Sequence, residues 1–308
     1  MSHATTVPPT GEQVELAHGD QRAVVVTIGG GLRSYSSGGR DLLDGFAADE
    51  QPMSGRGQLL VPWPNRIEDG SYTFDGRPHQ LPLTEPENAN AIHGLVRAAS
   101  WTIGTRAADR VVLEHVLEPQ PGYPFTVEVA VAYAVSDEGL SVEITARNAG
   151  SDVCPYGCGQ HPYLTLGTPT VDELELQAPG RRVLPANARG LPTGTRAVAG
   201  SEYDFRAPRR IGATTLDNCF TELERASDGR AFVRLREPTS GDAVVLWMDG
   251  AFPYLMLFTG DARPDVRRRS LAVEPMTCPP NAFRTGVSLI RLEPGEVTSS
   301  AWGISPEG

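Results

Sequence analysis

The chain of 308 residues is poor in cysteine, in net positive charge and in long apolar runs. Its four cysteines (Cys154, Cys158, Cys219 and Cys278) are too few to staple a chain of this length, which excludes a disulfide scaffold. The formal net charge is −11. Phosphate contacts need a surplus of Arg and Lys, so nucleic acid is not an expected partner. The one dense basic cluster, Arg267, Arg268 and Arg269, stands alone. No apolar run approaches the ~18 residues of a membrane helix, and no membrane partner is expected. The opening MSHATTVPPTGEQ has neither the basic start nor the apolar stretch of a secretory signal, so the expected compartment is the cytoplasm. Also missing are an amphipathic helix longer than about two turns, a P-loop, a Rossmann fingerprint and a GxSxG nucleophile elbow.

What is present points to an all-β protein. Apolar residues make up 40% and charged residues 21%, the balance of a soluble globular chain with a real core. The 33 glycines and 26 prolines punctuate the chain in the rhythm of strands and turns. VEVAVAYAV at 127–135 and LSVEITARN at 140–148 alternate with period two on either side of SDEG, which predicts a hairpin. Asp75-Gly76, between YTF and PHQL, predicts a second, tighter one. RAVVVTI at 22–28 predicts a strand, and Gly29-Gly30-Gly31 after it a bend or bulge. AVVLWMD at 243–249 and PYLMLFTG at 253–260 are expected to pair, and two strands are expected around Pro294-Gly295. A short helix fits 40–46. The expected organisation is a loose tail over 1–11 and one large antiparallel β-sandwich over 12–308, since all-β domains often exceed ~200 residues.

Sandwiches keep their chemistry in loops and on a concave face, and five stretches carry suitable residues. Arg66 lies in VPWPNRIEDG, where a fixed guanidinium offers a planar fork of donors to hydroxyls or a carboxylate; a structural ion pair is the alternative. His93 lies in NAIHGLVR beside Gly94, which permits close approach of backbone or ligand. His161 lies in YGCGQHPYL, where Pro162 breaks a central strand and a histidine so placed suits acid or base work. Asp217 in TLDNCFTEL serves either as a turn cap or as a ligand. Glu274 in SLAVEPMTCPPNAF ends an apolar strand, where burial would raise its pKa and make it a better base at neutral pH. Cys154, Cys158 and His161 have no standard zinc spacing, so no metal is expected and buried thiols are the simpler reading. Trp63, Tyr163 and Phe283 are expected to offer apolar faces to a sugar. Residue types and spacing thus describe a carbohydrate-active or carbohydrate-binding β-protein.

Taken in order, GGGLRSY at 29–35, PNRIEDGSYTFDGRPHQL at 64–81, NAIHG at 90–94, GQHPYLTLG at 159–167, LDNCF at 216–220, VEPMTCPPNAF at 273–283 and LEPGE at 292–296 resemble the aldose 1-epimerase (galactose mutarotase) family. The resemblance implies a β-supersandwich and an isomerase that interconverts α and β anomers of free aldoses without metal or organic cofactor. By motif, Glu274 resembles the general base and His161 the general acid, with Arg66, His93 and Asp217 as substrate-binding residues. The expected partner is a small-molecule sugar, and the expected assembly a monomer or homodimer. The sequence departs from better-known members after His161, where Pro162-Tyr163-Leu164 replaces a Thr/Ser-Tyr-Phe-Asn stretch, and this resembles a divergent bacterial branch. An anionic sugar would call for further basic residues, with Arg33, Arg97 and 267–269 as candidates. The alternatives are a non-catalytic sugar-binding module and a glycoside hydrolase using Asp217 and Glu274 as its two carboxylates.

Overall fold

The computed structural model describes residues 8–307. Two large antiparallel sheets face one another. The nine-stranded sheet runs Thr102–Arg106, Arg110–Leu117, Val127–Ser136, Gly139–Asn148, Val297–Glu307, Ala243–Met248, Ala231–Arg236, Glu175–Gln177, Arg209–Arg210. The eight-stranded sheet runs Arg196–Ala197, Gly180–Leu184, Asp217–Leu223, Tyr254–Phe258, Leu271–Met276, Gly159–Gln160, Leu59–Leu60, with Tyr163–Leu164 also paired to Leu271–Met276. A four-stranded sheet from Gln13 to Asp41 and three two-stranded ribbons complete the fold. Among the described residues no helix is long and apolar enough to cross a membrane.

Period-two alternation builds the core between the large sheets. In Val127–Ser136 the residues Val127, Val129, Val131, Tyr133 and Val135 are buried and their neighbours are not. They join Leu246, Trp302 and Ile304 of the same sheet and Phe220, Leu255, Leu257 and Val273 of the opposite one in a single apolar cluster. Each such fully buried side chain stabilises the fold by roughly 1.5–3 kcal/mol. The hairpin of Val127–Ser136 with Gly139–Asn148 forms as expected. So does the hairpin of Ser71–Phe74 with Arg77–Gln80, whose turn residues Asp75 and Gly76 both have positive φ. The strand Gln21–Val26 and the bend after it also form, with Gly29 and Gly30 at positive φ.

Three local expectations are corrected. Ala243–Met248 and Tyr254–Phe258 do not pair; they lie in different large sheets. Asp249 turns the chain away by accepting the N–H groups of Ala251 and Ala301, and Phe252, with no exposed surface, fills the core between the sheets. Residues 40–46 form no helix. The chain continues from a short strand, Arg40–Asp41, with Leu42 and Leu43 each donating to the carbonyl of Tyr35. Gly45 packs so closely on Arg33 that a Cβ there would lie 2.3 Å from its carbonyl oxygen. Finally, Glu274 lies within a strand rather than at its end, because Leu271–Met276 runs through Pro275. Of the expected tail, residues 1–7 lie outside the described residues. Thr10 is buried and accepts the N–H of Ile28.

Candidate active site

The register of the eight-stranded sheet places the acids. Successive side chains on a strand point to opposite faces, and directly paired residues share a face. Leu255, Leu257, Val273 and Phe220 point into the main core. Their neighbours form two smaller clusters on the other face: Leu184, Cys219, Tyr254, Met256 and Met276 in one, and Tyr163, Val266 and Ala272 with Phe258 in the other. Glu274 belongs to this second face, with Met256 as its cross-strand partner and Cys219 beyond that. It is 2% exposed. Asp217 shares the face at the start of Asp217–Leu223, two strands away and paired with Phe258.

A break in the strand beside Glu274 brings in His161. Gly159–Gln160 and Tyr163–Leu164 both pair with Leu271–Met276, and His161-Pro162 interrupts the ladder between them. Pro162 has no N–H to give, and its carbonyl accepts from Val273 instead. The break is held from both sides. His161 N–H donates to Gln58 and its carbonyl accepts from Gly57. The buried Gln160 amide donates to Gly57 and Tyr133 and accepts from Trp302. The ring of Tyr163 stacks on His161 at 4.9 Å and 14°, and its hydroxyl donates to Ser54. Gly55, at positive φ, also lies against the imidazole, where a Cβ would come within 2.7 Å of the ring. So clamped, His161 Nε2 lies 3.3 Å from Glu274 Oε1.

His93 closes the site from a different loop, its ring centroid 5.5 Å from that of His161 in an edge-on arrangement. It takes positive φ, and Gly94 follows in the same region, pressed so tightly on Val61 that a Cβ would lie 2.0 Å from the carbonyl oxygen. The backbone N–H of Asn65 donates to His93 Nδ1 at 3.3 Å. That bond places the ring proton of the neutral imidazole on Nε2. Arg66, next to Asn65, makes a two-pronged bond to Glu85, with Nε and Nη2 each 2.9 Å from a carboxylate oxygen.

Burial is the largest cause of the shift in each of these groups, and neighbouring charges add to it or oppose it. Burial pushes Glu274 up to about 8; Asp217 adds to the rise and Arg66 opposes it. Burial pushes His161 well down, its own backbone carbonyl opposing and Arg97 assisting. His93 is lowered by burial and by the charges of His161, Arg97 and Arg66. Although Asp217 is exposed, the protein around it raises its pKa, with Arg66 acting against and Glu85 with the rise. The 3.3 Å contact thus joins two groups that burial pushes toward their neutral forms. The far atoms, Glu274 Oε2 and His161 Nδ1, are buried without a partner. A buried polar atom left so costs ~1–3 kcal/mol.

His93, His161 and Glu274 each offer one atom within 4.8 Å of the others. Two histidines and a carboxylate can ligate zinc, but the hydrogen bond on His93 opposes it here. Ligation through His93 Nε2 would move the ring proton to Nδ1, where it would face the Asn65 N–H.

The five expected site residues thus fall into one neighbourhood, but the expected aromatic platform does not. Trp63 and Phe283 are each 2% exposed and pack edge-on against one another at 5.5 Å, and Tyr163 supports His161 from beneath. All four cysteines are free and buried, and none joins the cluster of potential ligands. Of the basic candidates, Arg268 is bound to Asp172 and Asp261, Arg269 to Asp44, and Arg33 to the carbonyl of Phe46. Only Arg97 acts electrostatically on both site histidines. Sequence reasoning missed Glu85, Gln160, Asn65 and Gly55. For Glu85 the signal was an acid beside a hairpin that returns to Arg66; for Gln160 it was a polar residue between a glycine and the histidine.

The aldose 1-epimerase family model matches residues 12–305. The protein YihR of Escherichia coli K12 is 36% identical over 293 residues, covering 95% of this chain and 92% of that one. Galactose mutarotase of Sus scrofa is 26% identical over 211 residues, 64% of this chain and 60% of its own length. Among solved structures, the GalM/aldose epimerase homologue from C. elegans superposes with a TM-score of 0.86 at 19% identity, covering 96% of this chain and 98% of that one. Galactose 1-epimerase from Lactobacillus acidophilus gives 0.81 at 20% identity, with coverages of 96% and 94%. At these identities the structural likeness speaks for the fold.

Proposed function

Because the chain belongs to the aldose 1-epimerase family, we propose that it interconverts the α and β anomers of a free hexose, with Glu274 as base and His161 as acid. The observation that carries this reading is the 3.3 Å contact between Glu274 Oε1 and His161 Nε2 on a face that also holds Asp217. Arg66 and His93 complete the surround. A binding module would need the donors but not a buried acid and base in contact.

Transfer of a proton from Glu274 to His161 arms both groups in one step. Glu274 becomes a carboxylate and His161 an imidazolium. Glu274 then takes the proton of the C1 hydroxyl while His161 gives its proton to the ring oxygen. The bond from C1 to the ring oxygen breaks and a free aldehyde forms. Rotation about C1–C2 presents the other carbonyl face, and the roles reverse to close the ring. His93 presents Nε2–H as a fixed neutral donor to the ring or a hydroxyl. Arg66 and Asp217 offer a cation and an acceptor to the remaining hydroxyls. General acid and base terms of ~10²–10⁴ each are adequate, because mutarotation also proceeds slowly in water. An imine route through a lysine is closed, since the chain contains no lysine.

The test is exchange NMR of the anomeric protons of D-glucose and D-galactose with and without the protein. Faster exchange for either sugar supports the reading and ranks the two. No acceleration with these sugars or with their 6-phosphate and 6-sulfonate analogues would count against it.

A further inference from the structure

We propose that Glu85 is a positioning residue for sugar binding: it fixes the guanidinium of Arg66, which without it would be a mobile side chain at the edge of the site. The inference rests on Arg66 contacting the sugar, as proposed above.

Glu85 is 3% exposed and belongs to no strand of the large sheets. Asn90 holds it through both backbone and side chain. Its backbone exchanges hydrogen bonds with Asn90 in both directions, closing the turn 85–90. The side-chain amide of Asn90 donates to Glu85 Oε2 at 2.8 Å and to the carbonyl of Arg189 at 2.9 Å. Arg189 in turn is bound to Asn88, Ala89 and Asp69. Gly190 then seals the pair: it takes positive φ, and a Cβ there would lie 2.5 Å from Arg66 Nη1 and 2.6 Å from Cζ. The carboxylate is thus fixed before it meets Arg66, and the two parallel bonds at 2.9 Å set both the position and the plane of the guanidinium. A buried ion pair is weak support for stability, because desolvating two charges costs about what their attraction returns. It is well suited to orientation, and Arg66 is the cation whose charge reaches Asp217, His93 and Glu274.

The experiment uses the intact chain, Glu85→Gln, Arg66→Met and the double variant. Without sugar, the expected sign is a protected Arg66 Nε–H resonance, assigned by its loss in Arg66→Met. In Glu85→Gln it should vanish or exchange at least about tenfold faster. With D-glucose, Glu85→Gln should raise KM by roughly ten- to a hundredfold, the worth of a charge-assisted pair, with kcat within about threefold. In the Arg66→Met background the same change should add nothing. A protected Nε–H in Glu85→Gln, or a further loss of affinity in the double variant, overturns the proposal. Should Glu85→Gln not fold, Glu85→Asp keeps the charge one methylene short and is read the same way. If the NMR result holds while the wild type neither binds nor anomerises any hexose, the proposed function fails and the hold of Glu85 on Arg66 stands.

Discussion

His161 Nε2 and Glu274 Oε1 lie 3.3 Å apart, and the opposite atom of each side chain is buried without a partner. Glu274 lies in a strand and His161 in the break, beside Pro162, between the two short strands that pair with it. Burial pushes both side chains toward their neutral forms.

The first consequence is a pH profile. In the proposed mechanism the working state holds one proton, which burial keeps on Glu274 up to about 8 while it holds His161 neutral to well below its ordinary value. The value of kcat/KM should be flat through neutral pH and fall as pH rises past about 8, when the pair loses its proton. An isolated carboxylate base would instead give a rate rising through pH 4–5 and level above. Initial rates corrected for uncatalysed mutarotation distinguish the two shapes.

A second consequence concerns stability. Glu274 carries a raised pKa in the folded chain, from 4.5 to about 8, so between those values the folded state holds a proton that the unfolded state has released. The stability linked to that proton is fully present below about pH 4.5 and is lost as pH rises through about 8. Glu274→Gln keeps the shape without the ionisation. Against wild type it should unfold at a similar urea concentration at pH 4.5. At pH 9 it should be more stable by on the order of a few kcal/mol, at ~1.4 kcal/mol per unit of pKa difference. An equal difference at both pH values would show that the carboxyl is not buried as described.

Asp217 raises the pKa of Glu274 and faces the same side of the sheet. In Asp217→Asn, KM should rise about tenfold or more with kcat within a few-fold, the pattern of a lost binding group. The high-pH fall of kcat/KM should also move to lower pH, because a charge that favoured the protonated pair is gone. A hydrolase using Asp217 and Glu274 as its two carboxylates would lose the chemical step, and kcat would collapse instead.

The thiols should be inert in the folded protein. Cys219 and Cys278 are buried, and burial raises both. Excess iodoacetamide at pH 7.5 should leave activity unchanged until denaturant is added. Inactivation of the native protein, matched by a labelled Cys278 in the mass spectrum, would place that thiol within reach of the site.

Much of this was legible in the sequence where a residue's neighbours in the chain decide its fate. The hairpin over 127–148 announces itself by alternation, and Asp75-Gly76 by the positive φ that its turn requires. His161 was readable because Pro162 stands next to it. Sheet membership was not. Ala243–Met248 and Tyr254–Phe258 are both nearly continuous apolar runs, and such runs do not say which partner covers each face. The aromatics misled for a related reason: Trp63, Tyr163 and Phe283 are near the site in sequence, yet their rings are consumed by packing. Glu85 was hidden because its significance lies in a return to Arg66 across 19 residues.

The central claim is that Glu274 and His161 together open and close a sugar ring, and polarimetry tests it most directly. Freshly dissolved α-D-glucose and α-D-galactose would be followed at pH 7 with wild-type protein, with Glu274→Gln and with buffer alone. The account predicts that wild type shortens the approach to equilibrium for at least one sugar. It also predicts that Glu274→Gln matches buffer while still binding that sugar within about tenfold of wild type by calorimetry. Full activity in Glu274→Gln would contradict it.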